Sequence, residues 1–440
     1  MQTTSAGSRL HRIEREWWTV LGIIFVVGMI SLVKGYLLEG MSSTNLTNTV
    51  PWGAWVAFYI YFIGMSAGSF LLSTLIFAFG MKQYEEIGRS ALLSAIASMI
   101  TAIAFIFLDI GRPDHVFNSL LNWNIMSTMA WEIHFYILYI LLLVTELYYS
   151  MRPDLVKRSE EQGRFAKLSK FLTFGYTDVS EESLAWDKRL LKILGSVGIP
   201  LAIFGVHGGT GSIFAVDKAR PFLNSGLFPI IFILSALVSG TALSIALYVI
   251  KNWVFHRPHD RTMVQSLGTL MGMFLAIELG LEWYEFLIGL YGLKSEELLT
   301  IKTMTASPFW WSFWVFQMGL AMVIPLILVF YKKTRQSVKW VLAAAIMTIV
   351  GVVGVRFNMI VPPFIVPVLK GLPPGNYYPT LSEWVTSLGL IAMGIIIYTL
   401  GEKILPIDQY EAKTQEAADG LGAFDAGQDF GHAGLEKGVE

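Results

Sequence analysis

The 440-residue sequence contains no cysteine. That excludes iron–sulfur clusters held by thiolates of this chain, thiolate zinc sites, disulfides and thioether-linked haem. Any metal cluster serving this chain must sit on a partner. Charge is scarce too. Asp, Glu, Lys and Arg make up 15% of residues, 54% are hydrophobic, and the net charge is -1. A soluble protein of this length needs a larger charged surface, and a chain with no positive excess offers little to nucleic acid.

Long apolar runs fill the space that charge leaves, and mean hydropathy is +0.56. Ten runs are long enough for a hydrocarbon core of roughly 30 Å. They cover about 17–38, 52–80, 89–109, 126–149, 190–208, 227–253, 267–292, 309–331, 340–360 and 381–401. The fifth holds Pro200 in its middle and is followed by Gly208-Gly209-Thr210-Gly211. Arg9, Arg12 and Arg15 precede the first run, and no small-residue cleavage site follows it. It therefore reads as a retained span rather than a removed signal.

Lysine and arginine give an orientation. Only Arg112, Lys218, Arg220, Lys294, Lys302 and Lys370 fall in the odd-numbered loops, and Lys34 and Arg356 lie inside spans. The rest lie in the N-tail, the even-numbered loops and the C-tail, so the positive-inside rule puts both termini in the cytoplasm. The sequence divides into an N-tail (1–16), a first span with its outer loop (17–51), and two units at 52–215 and 216–365. An outer loop with the last span (366–405) and a disordered tail (406–440) complete it. The loop 150–189 reads as a mixed-charge helix along the inner membrane surface.

A charge inside lipid is costly and marks a site by default. With this orientation the buried ionisable residues crowd towards the outer side. Asp109 ends span three, ahead of Gly111-Arg112-Pro113-Asp114-His115. Glu132 and His134 lie in the outer half of span four, and His207 near the outer end of span five. Glu278, Glu282 and Glu285 share one face of span seven. Arg356, Lys34 and Glu383 are also near outer ends, and Glu146 alone is near the inner side.

Each has a bland counterpart. Lys34 and Glu383 can snorkel to the interface. Arg356 can be a structural partner of a span-seven acid, and the span-seven acids can simply line a wet crevice. Glu132, His134, His207 and Asp109 come from three consecutive spans at similar depth and read as a pocket. Histidine and carboxylate suit proton exchange at the two oxygens of a lipid-soluble quinone. Trp52, Trp55, Trp123 and Trp131 supply aromatic surface nearby, as membrane interfaces commonly do. A haem b needs two facing axial histidines. Of His11, His115, His134, His207, His256, His259 and His432, only His134 and His207 lie in spans. That pairing fits poorly.

Five stretches, in order, carry a resemblance: Pro51-Trp52-Gly53-Ala54-Trp55-Val56-Ala57-Phe58; Asp109-Ile110-Gly111-Arg112-Pro113; Asn122-Trp123-Asn124-Ile125-Met126-Ser127 running to Trp131-Glu132; His207-Gly208-Gly209-Thr210-Gly211-Ser212; and Gly375-Asn376-Tyr377-Tyr378-Pro379-Thr380 leading to Glu383-Trp384. Together they resemble the NrfD-like family, the membrane subunits of polysulfide reductase-type complexes. Ten spans make the chain most similar to the branch that includes HybB and DsrP. The resemblance implies an all-α membrane fold, with four-helix bundles from spans two to five and six to nine and spans one and ten flanking them. It implies exchangeable menaquinone or ubiquinone in the first bundle, with no haem or iron–sulfur cluster in this chain. It also implies an outer-face ferredoxin-like [4Fe–4S] partner and further catalytic subunits, with or without a cytochrome.

The expected protein is the quinone-reactive anchor of a respiratory oxidoreductase in a prokaryotic inner membrane, not active alone. His207, Glu132 and Asp109 are its expected catalytic groups. Arg112, Asn124, His134, Trp131 and Trp55 are expected around the quinone or the partner. Glu278, Glu282, Glu285, Arg356 and Glu146 are expected as proton relays or ion pairs. Glu146 stands with Ser66, Ser69, Ser94 and Ser98 on spans two and three, where small polar residues also serve helix packing. Two other classes stay open: an ion or solute transporter with a buried acidic site, and a purely structural anchor. A carrier usually places its site at the midplane, whereas these charges sit to one side.

Overall fold

A computed structural model describes residues 2–408 except 113, 114, 116, 162, 164, 256, 293, 307 and 370. Pro113, Asp114, Arg164, His256, Lys370, His432 and the tail 409–440 therefore lie outside the described residues. No strand occurs among the described residues. Ten helices are long and apolar enough to cross a membrane: α1 (Arg12–Ser43), α2 (Ala54–Phe77), α3 (Glu85–Asp109), α4 (Thr128–Glu160), α5 (Glu181–Ala215), α6 (Phe228–Val254), α7 (Arg261–Tyr291), α8 (Ser312–Phe330), α9 (Val338–Ile365) and α10 (Leu381–Ile404). Within lipid a helix satisfies its own backbone, which is why such runs take this form.

The helices pack as two groups. In the first, α2 lies on α3 and α5, α3 on α4, and α4 on α5. In the second, α6 lies on α7 and α9, and α8 on α7 and α9. The groups meet where α2 crosses α6 and α9, while α1 and α10 pair with each other beside α3. The two flanked bundles expected from the resemblance are thus the observed packing. The α2–α6 crossing is too close for side chains. A Cβ on Gly68 would fall 1.8 Å from the Ala236 carbonyl oxygen, and one on Gly240 would fall 2.1 Å from the Gly68 carbonyl carbon. Small residues that let backbones touch are the usual glue between membrane helices.

Several helices run past their apolar cores. α4 continues to Glu160, and the short helix Ala166–Leu172 folds back on it. Arg152, fully buried there, reaches Asp187 (2.7 Å), Ser183 (2.8 Å) and the Asp178 carbonyl (2.7 Å). Part of the expected surface loop is therefore packed structure, because its charges find partners. α5 is longer than expected on both sides. It passes Pro200 by widening to π turns over Leu201–His207, which relieve the missing N–H. Residues 406–408, expected in a disordered tail, are held. The Pro406 carbonyl accepts from Arg89 (3.0 Å), and Asp408 pairs with Lys251 (2.5 Å) and Arg257 (3.0 Å). The end of the molecule at which α1 begins and α10 ends is the near end, and the opposite one the far end.

Candidate functional site

One face of α4 builds the polar interior of the first bundle. Glu132, Tyr136, Tyr139, Leu143 and Glu146 recur at helical spacing and are all buried. Ser127 caps α4 by accepting the Ala130 N–H at 3.3 Å, which fixes Glu132 one turn inside the far end. Three hydroxyls from three helices converge on Glu132 Oε1. Tyr59 of α2 donates at 2.9 Å, and Tyr136 of α4 and Thr210 of α5 donate closer still. The hydroxyls also touch each other, Tyr59 to Tyr136 at 2.7 Å and Tyr136 to Thr210 at 3.1 Å. Among the described residues Oε2 receives no hydrogen bond. A carboxyl oriented through one oxygen, with the other open and a chain of hydroxyls beside it, can take up or give a proton.

His207 lies one turn before Thr210 on α5 and is 1% exposed. Neither ring nitrogen makes a well-aligned hydrogen bond among the described residues, and the Phe232 carbonyl is the one backbone acceptor beside the ring. Its ring packs at 5.4 Å from Phe232 of α6, so it sits where the bundles meet rather than against Glu132. A neutral imidazole has one donor and one acceptor. The Phe232 carbonyl can take the N–H, and a ligand or ordered water is the expected partner of the other nitrogen, since a buried polar atom left unpaired costs about 1–3 kcal/mol.

Asp109 belongs to another corner. Its Oδ1 is buried without a partner among the described residues, as is Nε1 of Trp55. Tyr377 lies close enough for Asp109 to raise its phenol further, after burial and Glu383 have already done so. Tyr377 donates to Glu383 at 2.5 Å and accepts the Ala54 N–H that opens α2 at 2.8 Å. Glu383, expected to snorkel, is instead 1% exposed and completes a capping box with Thr380. Its charge is satisfied at a helix start and so has no reason to reach water.

The remaining expected residues spread out. His134 is half-buried, with Nδ1 on the Ala130 carbonyl (2.8 Å) and its ring stacked 4.4 Å from Trp123. Trp131 bonds the Ile125 carbonyl at 2.8 Å, and the Asn124 side chain accepts the Met126 N–H at 3.0 Å. Both therefore shape the loop before α4. Arg112 is exposed and bonds His115 at 3.1 Å. Glu146 is fully buried towards the near end, and among the described residues neither carboxyl oxygen is bonded. Glu285 accepts from Ser225 at 2.9 Å at the far rim of the second bundle.

Inside that bundle Arg356 donates to Ser235 (2.8 Å), whose hydroxyl also serves Glu278. Glu282 accepts from Gln317 (2.9 Å), whose oxygen accepts from Asn358 (2.8 Å). Charge and depth alone missed Tyr59, Tyr136, Thr210, Ser235, Gln317 and Asn358. The two amides stand out once neutral polar groups in apolar spans are counted with the charges. Tyr136 is one helical turn from Glu132.

Ten membrane-length helices with ionisable side chains buried between them define a multi-pass integral membrane protein with an internal polar site. The family model described as "Polysulphide reductase, NrfD" matches residues 42–367, and the chain belongs to that family. It is 37% identical to a selenate reductase subunit of Mesobacillus selenatarsenatis over 90% of this chain and 95% of that one. Similarity extends to the Hdr-like menaquinol oxidoreductase integral membrane subunit of Archaeoglobus fulgidus, 27% identical over 89% of this chain and 94% of that one. The menaquinone reductase integral membrane subunit of Nitratidesulfovibrio vulgaris is 23% identical over 90% of this chain and 92% of that one.

Proposed function

We propose that this chain is the quinone-reactive membrane subunit of a respiratory oxidoreductase, with its site at the far end of the first bundle, residues 52–215. The observation that carries the reading is the Glu132 carboxyl, oriented by Tyr59, Tyr136 and Thr210 one turn inside that end. Relatives named for menaquinol and menaquinone support the substrate class. The residues present fit a quinone headgroup. Its two oxygens need a donor or acceptor each, and His207 and the Trp55–Asp109 corner hold buried polar atoms without protein partners.

A bound quinol supplies two electrons and two protons when it is oxidised. His207 hydrogen-bonds one oxygen position, and its second nitrogen is free to pass a proton on. Glu132 accepts a proton at Oε2, and the hydroxyls on Oε1 spread the resulting change of charge. Asp109 is the alternative acceptor at the second oxygen. The isoprenoid tail needs only apolar surface, and the packed rings of Trp123, Trp131 and Phe135 offer it at the start of α4.

The lysine and arginine bias puts the termini in the cytoplasm and this site on the outer side of a prokaryotic inner membrane. Electrons leave to a ferredoxin-like [4Fe–4S] subunit seated on the far end. Phe117, Leu121, Ile125 and Met126 stand exposed there on the loop that precedes Glu132, an apolar surface suited to a protein partner. The test is quinol-linked turnover of the purified complex. His207→Ala and Glu132→Gln are expected to abolish it while the complex still assembles. Normal turnover in both would remove this site.

A further inference from the structure

The two bundles carry one motif at one place. Gly205-Val206-His207 in α5 and Gly354-Val355-Arg356 in α9 both lie on the fourth helix of their bundle. The first helices of the bundles, α2 and α6, cross at Gly68 and Gly240, each intruding on the other. The third helices carry Trp131-Glu132 and Phe316-Gln317. His207 and Arg356 thus occupy matching positions about a seam. A Cβ on Gly64 would lie 3.4 Å from both His207 Cε1 and Arg356 Nη2. Phe232 packs against both, its ring 5.4 Å from the imidazole and 4.9 Å from the guanidinium. The two groups, one from each bundle, therefore both border the position that a side chain at Gly64 would fill.

That space is lined by polar atoms that the fold leaves unpaired. A His207 ring nitrogen beyond the one facing the Phe232 carbonyl, and Nε of Arg356, are buried without partners among the described residues. Beyond Arg356 stand Glu278, sharing Ser235, and Glu282, held by Gln317. The groups facing this cluster are His207 from α5, Ser235 and Ser239 from α6, Gln317 from α8, and Asn358 from α9. One guanidinium faces two carboxyls. A lone cation balances one carboxylate, and a single proton cancels the other charge.

We propose that Glu278 and Glu282 form a proton-storing site in the second bundle, joined to the quinone site through His207 across the α2–α6 seam. The proposal rests on the quinone reading above. In the step, His207 takes a quinol proton on one ring nitrogen while its other nitrogen passes a proton to ordered water at the seam, so no imidazolium is held beside Arg356. The ionised member of the Glu278–Glu282 pair takes up the proton passed on and becomes neutral. No electron moves, and Arg356 keeps its charge throughout, so the cluster changes by one proton only. Ser239, the third group beside Gly64, and the unpaired Arg356 Nε are the anchoring points for that water.

Redox-triggered infrared difference spectra of the purified complex with bound menaquinone test this. The quinone bands report the quinone reading, and the carbonyl stretch of a protonated carboxyl reports the store. Wild type is expected to show both. Glu278→Gln combined with Glu282→Gln is expected to keep the quinone bands and lose a carboxyl band, as each glutamine preserves size and hydrogen bonding. Gly64→Leu, which fills the seam and leaves both acids in place, is expected to lose the same band. If the double variant fails to assemble, the single variants carry the same readout. Quinone bands with an unchanged carboxyl region in these variants would overturn the store. Absence of quinone bands from the intact wild-type complex would overturn the quinone reading and the store with it.

Discussion

Replacing Glu132 by glutamine separates proton exchange from packing. Glutamine keeps an oxygen where Oε1 receives Tyr59, Tyr136 and Thr210, so the hydroxyl cluster retains its acceptor. What disappears is the exchangeable proton at Oε2. A positioned acid or base is typically worth about 10²–10⁴-fold in rate, or about 3–5 kcal/mol of barrier. Turnover with a soluble menaquinol analogue is expected to fall by that factor, with assembly and thermal stability close to wild type. Glu132→Ala is a different perturbation. It removes the acceptor the three hydroxyls share. Thr210 keeps the Val206 carbonyl and the two phenols keep each other, so about one donor is left unmet, at about 1–3 kcal/mol, and stability is expected to fall as well as rate. Tyr136→Phe removes one donor to a carboxylate, worth about 1.5–3 kcal/mol, and is expected to cost about tenfold or more. A Glu132→Gln complex that turns over within about twofold of wild type would refute the acid–base role, because a positioned acid or base typically contributes about 10²-fold or more.

Four further outcomes follow from the geometry. His134→Ala is expected to leave turnover within about twofold, a change of about 0.4 kcal/mol, because its ring is spent on Trp123 and the Ala130 carbonyl; a loss like that of Glu132→Gln would return it to the site. Arg152→Met leaves Asp187 buried without its cation, and thermal unfolding in detergent is expected to report a loss of about 3–5 kcal/mol. Gly68→Leu drives a side chain into the Ala236 backbone, where even a Cβ would lie 1.8 Å from the carbonyl oxygen, and no assembled protein is expected on size exclusion. At Asp408 burial raises the carboxyl pKa, but Lys251 and then Arg257 outweigh it, and the net shift is below the ordinary 3.8. A carboxyl lowered in the folded state contributes stability above its ordinary range and loses it as pH falls through the lowered value. Hydrogen exchange across 402–408 is therefore expected to stay slow at neutral pH and quicken only on strong acidification, with Asp408→Asn fast throughout.

The spans were legible because lipid imposes one rule on every residue between two boundaries. Their ends were less so, since they depend on what a side chain meets in space. Nothing near Arg152 in sequence announces Asp187 or the Asp178 carbonyl, so α4 looked finished a turn and more before Glu160. Glu383 shows the same limit. Its position at an outer boundary fits snorkelling, and only the folded chain brings Asn45 and Tyr377 to it. The expected pocket was legible as a region and not as a constellation. Depth put Asp109, Glu132, His134 and His207 at one level, yet depth says nothing about direction around a helix axis. The structure turns Asp109 towards Tyr377, His134 towards Trp123 and His207 towards Phe232. Only Glu132 meets the polar interior of its own bundle.

That division follows from α2. It gives Tyr59 to the Glu132 cluster, then Gly64 to the position that His207 and Arg356 border, then Gly68 to the crossing with α6. Site, seam and bundle contact lie on successive stretches of the most buried of the ten described spans. A shift of α2 along its axis therefore moves Tyr59 and the seam together, and the Gly68–Gly240 contact leaves almost no room for such a shift. Interiors packed this tightly transmit displacement rather than absorb it. Gly68→Ala is the sharp case. If any of it assembles, the displaced α2 is expected to weaken quinol turnover and the infrared carboxyl signal in parallel, although Gly68 touches neither. A variant that assembled and lost only one of the two would show that α2 does not act as the common rigid element.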